Sequence, residues 1–274
     1  MNVLIGGSGR LGQALVRHGG DVVCLPRATY ADWHRADSGA AIGAALAPYR
    51  DRGATVLVAA GLLDPRLAPE QHRQVNLDLP ANLIDAAAGL GVRVVTFGTV
   101  MEALLAQQNP YVRSKAMLGS LVAARAAAGA DVCHVRVHTL YGGGQPSSFM
   151  FLGLMLDALR AGRAFKMTSG KQLREYHHVD DEAAAIGALQ DAGVRGVVEL
   201  SNGAPLTLLS LARAVFDGCG APALLEAGAL PEPADENYET VLARHSALAA
   251  VHFRPALPAV VDYMAQCLQA GERA

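Results

Sequence analysis

Tyr111 and Lys115, in Asn109-Pro110-Tyr111-Val112-Arg113-Ser114-Lys115, stand four residues apart and so share one face of a helix. An ammonium beside a phenol favours the phenolate, which is expected to lower the Tyr111 pKa toward neutrality. Such a phenol can pass a proton to or from a substrate oxygen. By itself the pair is a common surface arrangement. It gains meaning from the turn that opens the chain, Gly6-Gly7-Ser8-Gly9-Arg10-Leu11-Gly12. That turn suits a dinucleotide able to exchange hydride, and with the tyrosine it points to carbonyl/alcohol redox chemistry.

Two glycine patterns overlap in this turn. Gly7-x-Gly9-x-x-Gly12 fits the general dinucleotide fingerprint, and Gly6-x-x-Gly9-x-x-Gly12 fits a common variant. Glycine permits the tight turn and a close backbone approach to pyrophosphate, and a helix N-terminus favours the negative charge. The turn follows the apolar run Val3-Leu4-Ile5 and precedes a helical pattern, which is the context the motif requires. An acidic residue ending the second strand would bind ribose hydroxyls, but that strand runs into Leu25-Pro26-Arg27. Arg27, helped by Arg10, is suited to a 2′-phosphate, so NADP(H) is expected over NAD(H).

The elements that must position these groups alternate. Apolar strands are expected at Val3–Ile5, 21–25, 54–58, 92–95 and 131–137, with helices over 11–18, from Asp37 to Tyr49, over 70–88 as one long amphipathic run, and over 111–128. Strands alternating with helices indicate a parallel sheet covered on both faces. The rhythm changes near Tyr141, where Gly142-Gly143-Gly144-Gln145-Pro146 is a flexible break. Helices follow near 149–159, 207–216 and 258–269, with a strand-like piece at 164–168. The expected organisation is a domain over 1–140 and a smaller, mostly helical lobe over 141–274, with a segment near 174–190 returning to the first domain.

With 274 residues the chain has ample length for a core, and 51% hydrophobic with 18% charged residues is a globular composition. A net charge of −2 gives no sign of a nucleic-acid or anionic-membrane surface. Cys24, Cys133, Cys219 and Cys267 lack metal-like spacing and read as buried or indifferent thiols in a reducing compartment. No metal site is expected. The N-terminal residues do not read as a signal peptide and no apolar stretch is long enough to span a bilayer, so a cytoplasmic protein is expected.

These motifs resemble the extended branch of the short-chain dehydrogenase/reductase superfamily, and within it the NAD-dependent epimerase/dehydratase group that acts on nucleotide sugars. The resemblance extends past the glycine turn and Tyr-x-x-x-Lys. Asp37 matches an Asp that contacts adenine, Ala59-Ala60-Gly61 takes the place of the loop beneath the cofactor, and Asn76 matches a common family Asn. His138-Thr139-Leu140-Tyr141-Gly142-Gly143-Gly144-Gln145 is similar to the passage into the substrate loop. Arg174-Glu175-Tyr176-His177-His178-Val179-Asp180-Asp181 is close to the family's Arg-Asp-Tyr-Ile-His-Val-Asp-Asp. The resemblance implies an α/β, Rossmann-type doubly wound sheet with a substrate lobe and a homodimer through the helices at 70–88 and 111–128. It makes Tyr111 the general acid/base, Lys115 a partner of the nicotinamide ribose, and Arg174 and His138 substrate-side residues, Arg174 at the nucleotide diphosphate. His177 and His178 read as structural.

The departure concerns the third catalytic group. The family places a Ser or Thr after the strand that precedes the tyrosine. Here the strand ends Val95-Thr96-Phe97-Gly98-Thr99-Val100-Met101-Glu102, and Phe97 falls on the hydroxyl position. Thr99, twelve residues before Tyr111, is expected to serve, with Thr96 as the alternative, and Glu102 is a candidate extra acid/base facing substrate. The Asp-Glu pair that eliminates water in dehydratases is not matched, which disfavours dehydration. The expected reaction is NADPH-dependent reduction of a 4-keto-(6-deoxy) nucleotide sugar. The alternatives are a nucleotide-sugar epimerase with bound NAD and a non-catalytic NADP-binding partner or sensor.

Overall fold

The computed structural model of the protein describes residues 1–271. Its central element is a six-stranded sheet. In chain order the first five strands are β1 (Asn2–Ile5), β2 (Val22–Cys24), β3 (Thr55–Val58), β4 (Arg93–Thr99) and β5 (Val132–Val137). The sixth is Gly196–Glu199. From one edge the order is Gly196–Glu199, β5, β4, β3, β1, β2, and every neighbouring pair is parallel. The strands are runs of Val, Leu and Ile because a parallel sheet buries both faces.

The helices between them are α1 (Arg10–His18), α2 (Arg27–Tyr30), α3 (Gly39–Leu46), α4 (Pro69–Arg73), α5 (Leu79–Ala87), α6 (Met101–Leu104) and α7 (Pro110–Ala127). Val3, Ile5, Ile42, Leu46, Val56, Leu83, Ile84, Val94, Leu118 and Val122 form one buried cluster between sheet and helices. Local sequence starts α7 cleanly: the Asn109 side chain accepts from Val112 N at 2.9 Å, and Pro110 takes the first helical position, where no N–H is needed.

The single helix expected over 70–88 is instead three segments. Between α4 and α5 lies a π-helical turn, Gln74–Asp78, in which Leu79 N–H bonds Gln74 O. Pro80 supplies the reason, having no N–H to give the Asn76 carbonyl, so the ladder widens there. The helix expected from Asp37 begins later, at Gly39.

The chain forms two compact units. The first comprises Met1–Val137, Ala183–Leu200 and His245–Val251. The second comprises His138–Glu182, Ser201–Arg244 and the chain from His252 on. The second unit packs the helices Phe151–Ala161, Leu208–Gly218 and Ala256–Gly271 around Met155, Leu156, Leu211, Val215, Phe216, Val260 and Met264. It also carries three two-stranded pairings: Thr139–Tyr141 with Tyr176–His178, Leu173–Arg174 with Leu206–Thr207, and Phe165–Met167, the strand expected near 164–168, with Leu225–Ala227. Among the described residues no helix is long and apolar enough to cross a membrane.

Candidate functional site

The glycine turn joins β1 to α1, and two of its glycines are required by contact. Gly6 has φ +87°, and a Cβ there would lie 2.3 Å from Ala60 N. A Cβ on Gly12 would lie 2.2 Å from Gly6 O and 2.8 Å from Gly7 Cα. Gly9 N donates to Gly6 O at 3.1 Å and Gln13 N to Gly9 O at 2.8 Å, which closes the turn onto the helix. Ser8 is exposed, and Arg10 and Leu11 are half-buried at the first turn of α1. Gly9 precedes α1 without a side-chain cap, so the first N–H groups of the helix face the bare turn. This cradle of close backbone, a helix N-terminus and no acidic residue in the first turn fits a dinucleotide pyrophosphate.

Ala59 and Ala60 follow β3 and are half-buried beside Gly6, with Ala59 N bonded to Ile5 O at 2.8 Å. Gly61 comes next. A Cβ there would be 3.3 Å from Asn76 Oδ1 and 3.4 Å from Lys115 Nζ, so these three expected residues meet at one point. Asn76, which the resemblance counts among the cofactor-binding residues, is engaged within the protein. It is fully buried, its Oδ1 accepts from Leu62 N at 2.9 Å, and its Nδ2 donates to Leu62 O at 2.9 Å and to Ser114 Oγ at 3.1 Å. With its amide committed, Asn76 ties the 61–62 loop to α7. His72, which sequence reading missed, is buried behind it with Nε2 2.9 Å from Asp64 O.

Lys115 is buried, and its Nζ donates to Phe97 O at 2.8 Å. Burial lowers its pKa to about 8, and the Glu102 carboxylate acts in the opposite sense. Tyr111 is half-buried, its ring 6.2 Å from that of His72. Its phenol departs from expectation: burial and then the Glu102 charge raise its pKa rather than lowering it. The Lys115 ammonium, committed to the Phe97 carbonyl, does not reverse that effect.

Both threonine candidates are engaged within the protein. Thr96 pairs across the sheet with His134, and its Oγ1 lies 2.8 Å from His134 Nδ1 and 3.3 Å from Cys133 O. Thr99 Oγ1 accepts from Met101 N at 3.3 Å, while Thr99 N donates to Glu102 Oε1 at 2.7 Å. Together these bonds tie the end of β4 to the start of α6. Glu102 is not an acid/base facing substrate. Its side chain is fully buried, within 3.2 Å of His134 Nε2 and 3.1 Å of Arg136 Nε. Burial raises its pKa, and His134, the Thr99 N–H and Arg136 outweigh that and hold it below the usual carboxylate range.

Arg27 is exposed at the start of α2. Asp37 is also exposed, 3.6 Å from Arg35. Cys24 is exposed too, unlike the buried Cys133 and Cys267, and all four thiols are free.

In the second unit, Arg174 is paired with Glu236 and with the Leu173 carbonyl, so its guanidinium is spent inside the fold and not presented to a diphosphate. His138 is likewise internal: its side chain is 7% exposed, Nε2 lies 3.8 Å from Glu175, and burial lowers its pKa to about 4. His177 bridges two carboxylates, with Nδ1 2.8 Å from Glu182 and Nε2 2.9 Å from Glu175. Sequence reading anticipated its structural character but not these partners.

A sequence model described as the NAD dependent epimerase/dehydratase family matches residues 3–199. A search of curated proteins finds no match. Solved structures share the fold at low identity. A dTDP-4-dehydrorhamnose reductase from Clostridium acetobutylicum is 18% identical with a TM-score of 0.73, over 98% of this chain and 100% of its own. The dTDP-glucose 4,6-dehydratase DesIV from Streptomyces venezuelae, solved with NAD bound, is 20% identical with a TM-score of 0.75, over 100% and 97%. A UDP-N-acetylglucosamine 4-epimerase from Methanobrevibacter ruminantium is 16% identical with a TM-score of 0.74, over 99% and 98%.

Proposed function

The chain belongs to the NAD dependent epimerase/dehydratase family, and from that membership we propose that it is a nicotinamide-dependent oxidoreductase that reduces the keto group of a 4-keto-(6-deoxy) nucleotide sugar, using NADP(H) in preference to NAD(H). The observation that carries this reading is the placement of Tyr111. It shares a helix face with Lys115, whose Nζ lies beside the Gly61 loop, and burial and the Glu102 charge raise its phenol pKa above the ordinary value. A protonated phenol suits reduction, where a proton must reach the new alkoxide. Oxidation, the first half of an epimerisation, needs the phenolate.

The cofactor would be held by the Gly6–Gly12 turn at its pyrophosphate, by Lys115 near its ribose, and by Arg27 and Arg10 at a 2′-phosphate. When bound, the nicotinamide supplies the hydride. The work of the chain's own residues is to hold the phenolic proton of Tyr111 at the reacting oxygen and to keep a cation at Lys115. Nucleotide sugars as substrates, a homodimer through the helical runs at 69–87 and 110–127, and a place in the cytoplasm belong to the same proposal. The dimer is removed by a sedimentation run that shows monomer alone.

A second reading has its own support. The Thr96 and Thr99 hydroxyls are both engaged within the protein, which leaves the third catalytic position without a free hydroxyl and favours a cofactor-binding protein that turns nothing over. The test is NADPH consumption against a panel of 4-keto-6-deoxy nucleotide sugars, with NADH in parallel. The proposal expects NADPH to be oxidised in proportion to product. Cofactor binding without oxidation supports the second reading, and an inverted stereocentre in the recovered sugar marks an epimerase.

A further inference from the structure

Tyr111, Lys115 and Gly119 recur every four residues along α7 and share one of its faces. Past Lys115 that face meets Glu102. A Cβ on Gly119 would stand 2.9 Å from Glu102 Oε2, and one on Gly98 would stand 2.0 Å from Glu102 Oε1 and 2.2 Å from His134 Nε2. Two glycines, one in α7 and one in β4, thus leave the space that Glu102 and His134 occupy. A methyl group at either would displace them.

The charged and titratable groups around this face come from several elements. Glu102 comes from α6, and His134 and Arg136 from β5. Glu199, on the edge strand, accepts from Arg136 Nη1 at 2.9 Å. His72 of α4 lies against Tyr111, and Asp85 of α5 pairs with Arg125 near the far end of α7 at 2.7 Å. His134 is fully buried and burial favours its neutral form, with Nε2–H directed at Glu102 and Nδ1 accepting from Thr96. Glu102, Arg136 and Glu199 then sum to one net negative charge. The ammonium of Lys115, held 2.8 Å from the Phe97 carbonyl, sits at the residue of β4 next to Gly98, against which Glu102 packs.

We infer that Glu102 is a positioning residue, the buried counter-charge that keeps Lys115 cationic beside Tyr111, seated in the space that Gly98 and Gly119 leave open. This rests on the proposed role of Tyr111 and Lys115. A carboxylate that touched substrate would need access, and Glu102 has none. It acts through charge, across an interior where such an effect is screened much less than in water.

The chain has three lysines, Lys115, Lys166 and Lys171, so the Lys115 side chain can be followed by NMR through a pH titration. The expected midpoint in the unaltered protein is about 8. Glu102→Gln should lower it by on the order of one pH unit, and Arg136→Gln, which leaves Glu102 unopposed, should raise it by a similar amount. Loosened packing alone would move both variants in the same direction. An unchanged midpoint in folded Glu102→Gln overturns the inference. If that variant does not fold, Arg136→Gln is compared with the charge-conserving Arg136→Lys: a rise in the first with no change in the second supports the counter-charge, and any other pattern refutes it. The titration needs no substrate, so a protein that reduces no keto sugar yet shows opposite shifts refutes the proposed function and leaves this inference standing.

Discussion

His177 is a cation built into a buried site. Burial disfavours its charge, but Glu182 and Glu175 prevail and raise its pKa to about 9 from an ordinary 6.5. Burial also opposes ionised Glu175, yet His177, His138, Ser201 Oγ at 2.6 Å and Asn202 N at 2.7 Å bring its pKa to about 2 from 4.5. The signs follow from linkage. The raised histidine contributes stability present in full below pH 6.5 and lost as pH rises through about 9. The lowered carboxylate contributes stability present above pH 4.5 and lost as pH falls toward about 2. Thermal melts should therefore fall between pH 6.5 and 9 in the natural protein, and His177→Gln should flatten that slope. Parallel curves for the two proteins would show that His177 carries no such linkage. Glu175→Ala should cost about 1–3 kcal/mol, because it leaves the Ser201 hydroxyl, the Asn202 N–H and one His177 ring nitrogen without their acceptor, while Glu182 still faces the imidazolium. At this scale the sequence was legible where spacing alone carries meaning, as with Tyr111 and Lys115. It was not legible where a side chain's partner is set by sheet register. Thr96 meets His134, thirty-eight positions away, because β4 and β5 align them, and nothing local to Thr96 announces it.

Among the elements, the glycine turn is the one whose geometry its sequence dictates most directly. Gly6 and Gly12 each have backbone where a Cβ would be, whereas Gly43, inside α3, has nothing within 4 Å. Gly12→Ala should abolish NADPH binding measured by calorimetry or fluorescence. Gly43→Ala should leave binding intact and stabilise the protein by up to about 1 kcal/mol, the usual helix-interior gain. Equal binding by both variants would separate the turn from the cofactor. The alternation of strands and helices was legible for a related reason, since a strand buried on both faces has to be a continuous apolar run. The π turn at Gln74–Asp78 was missed because amphipathic spacing does not register one widened turn, although Pro80 was in plain view. Of the short strands of the second unit only Phe165–Met167 was anticipated; two-residue and three-residue strands are too short to carry a period.

For the whole molecule, the family match over residues 3–199 and the six-stranded parallel sheet agree with a nucleotide-binding α/β architecture. The second compact unit draws on separate stretches of chain, a division that depends on long-range packing. The choice of substrate belongs to this scale as well, and neither the motifs nor the fold alone specify it. The central claim is that Tyr111 delivers a proton to a reduced nucleotide sugar. The most direct test is the rate of NADPH oxidation with a 4-keto-6-deoxy nucleotide sugar by the natural protein and by Tyr111→Phe, side by side. The account predicts steady oxidation by the natural protein and a fall of roughly 10²–10⁴-fold in the variant, with cofactor affinity nearly unchanged. Equal rates in the two proteins would contradict it.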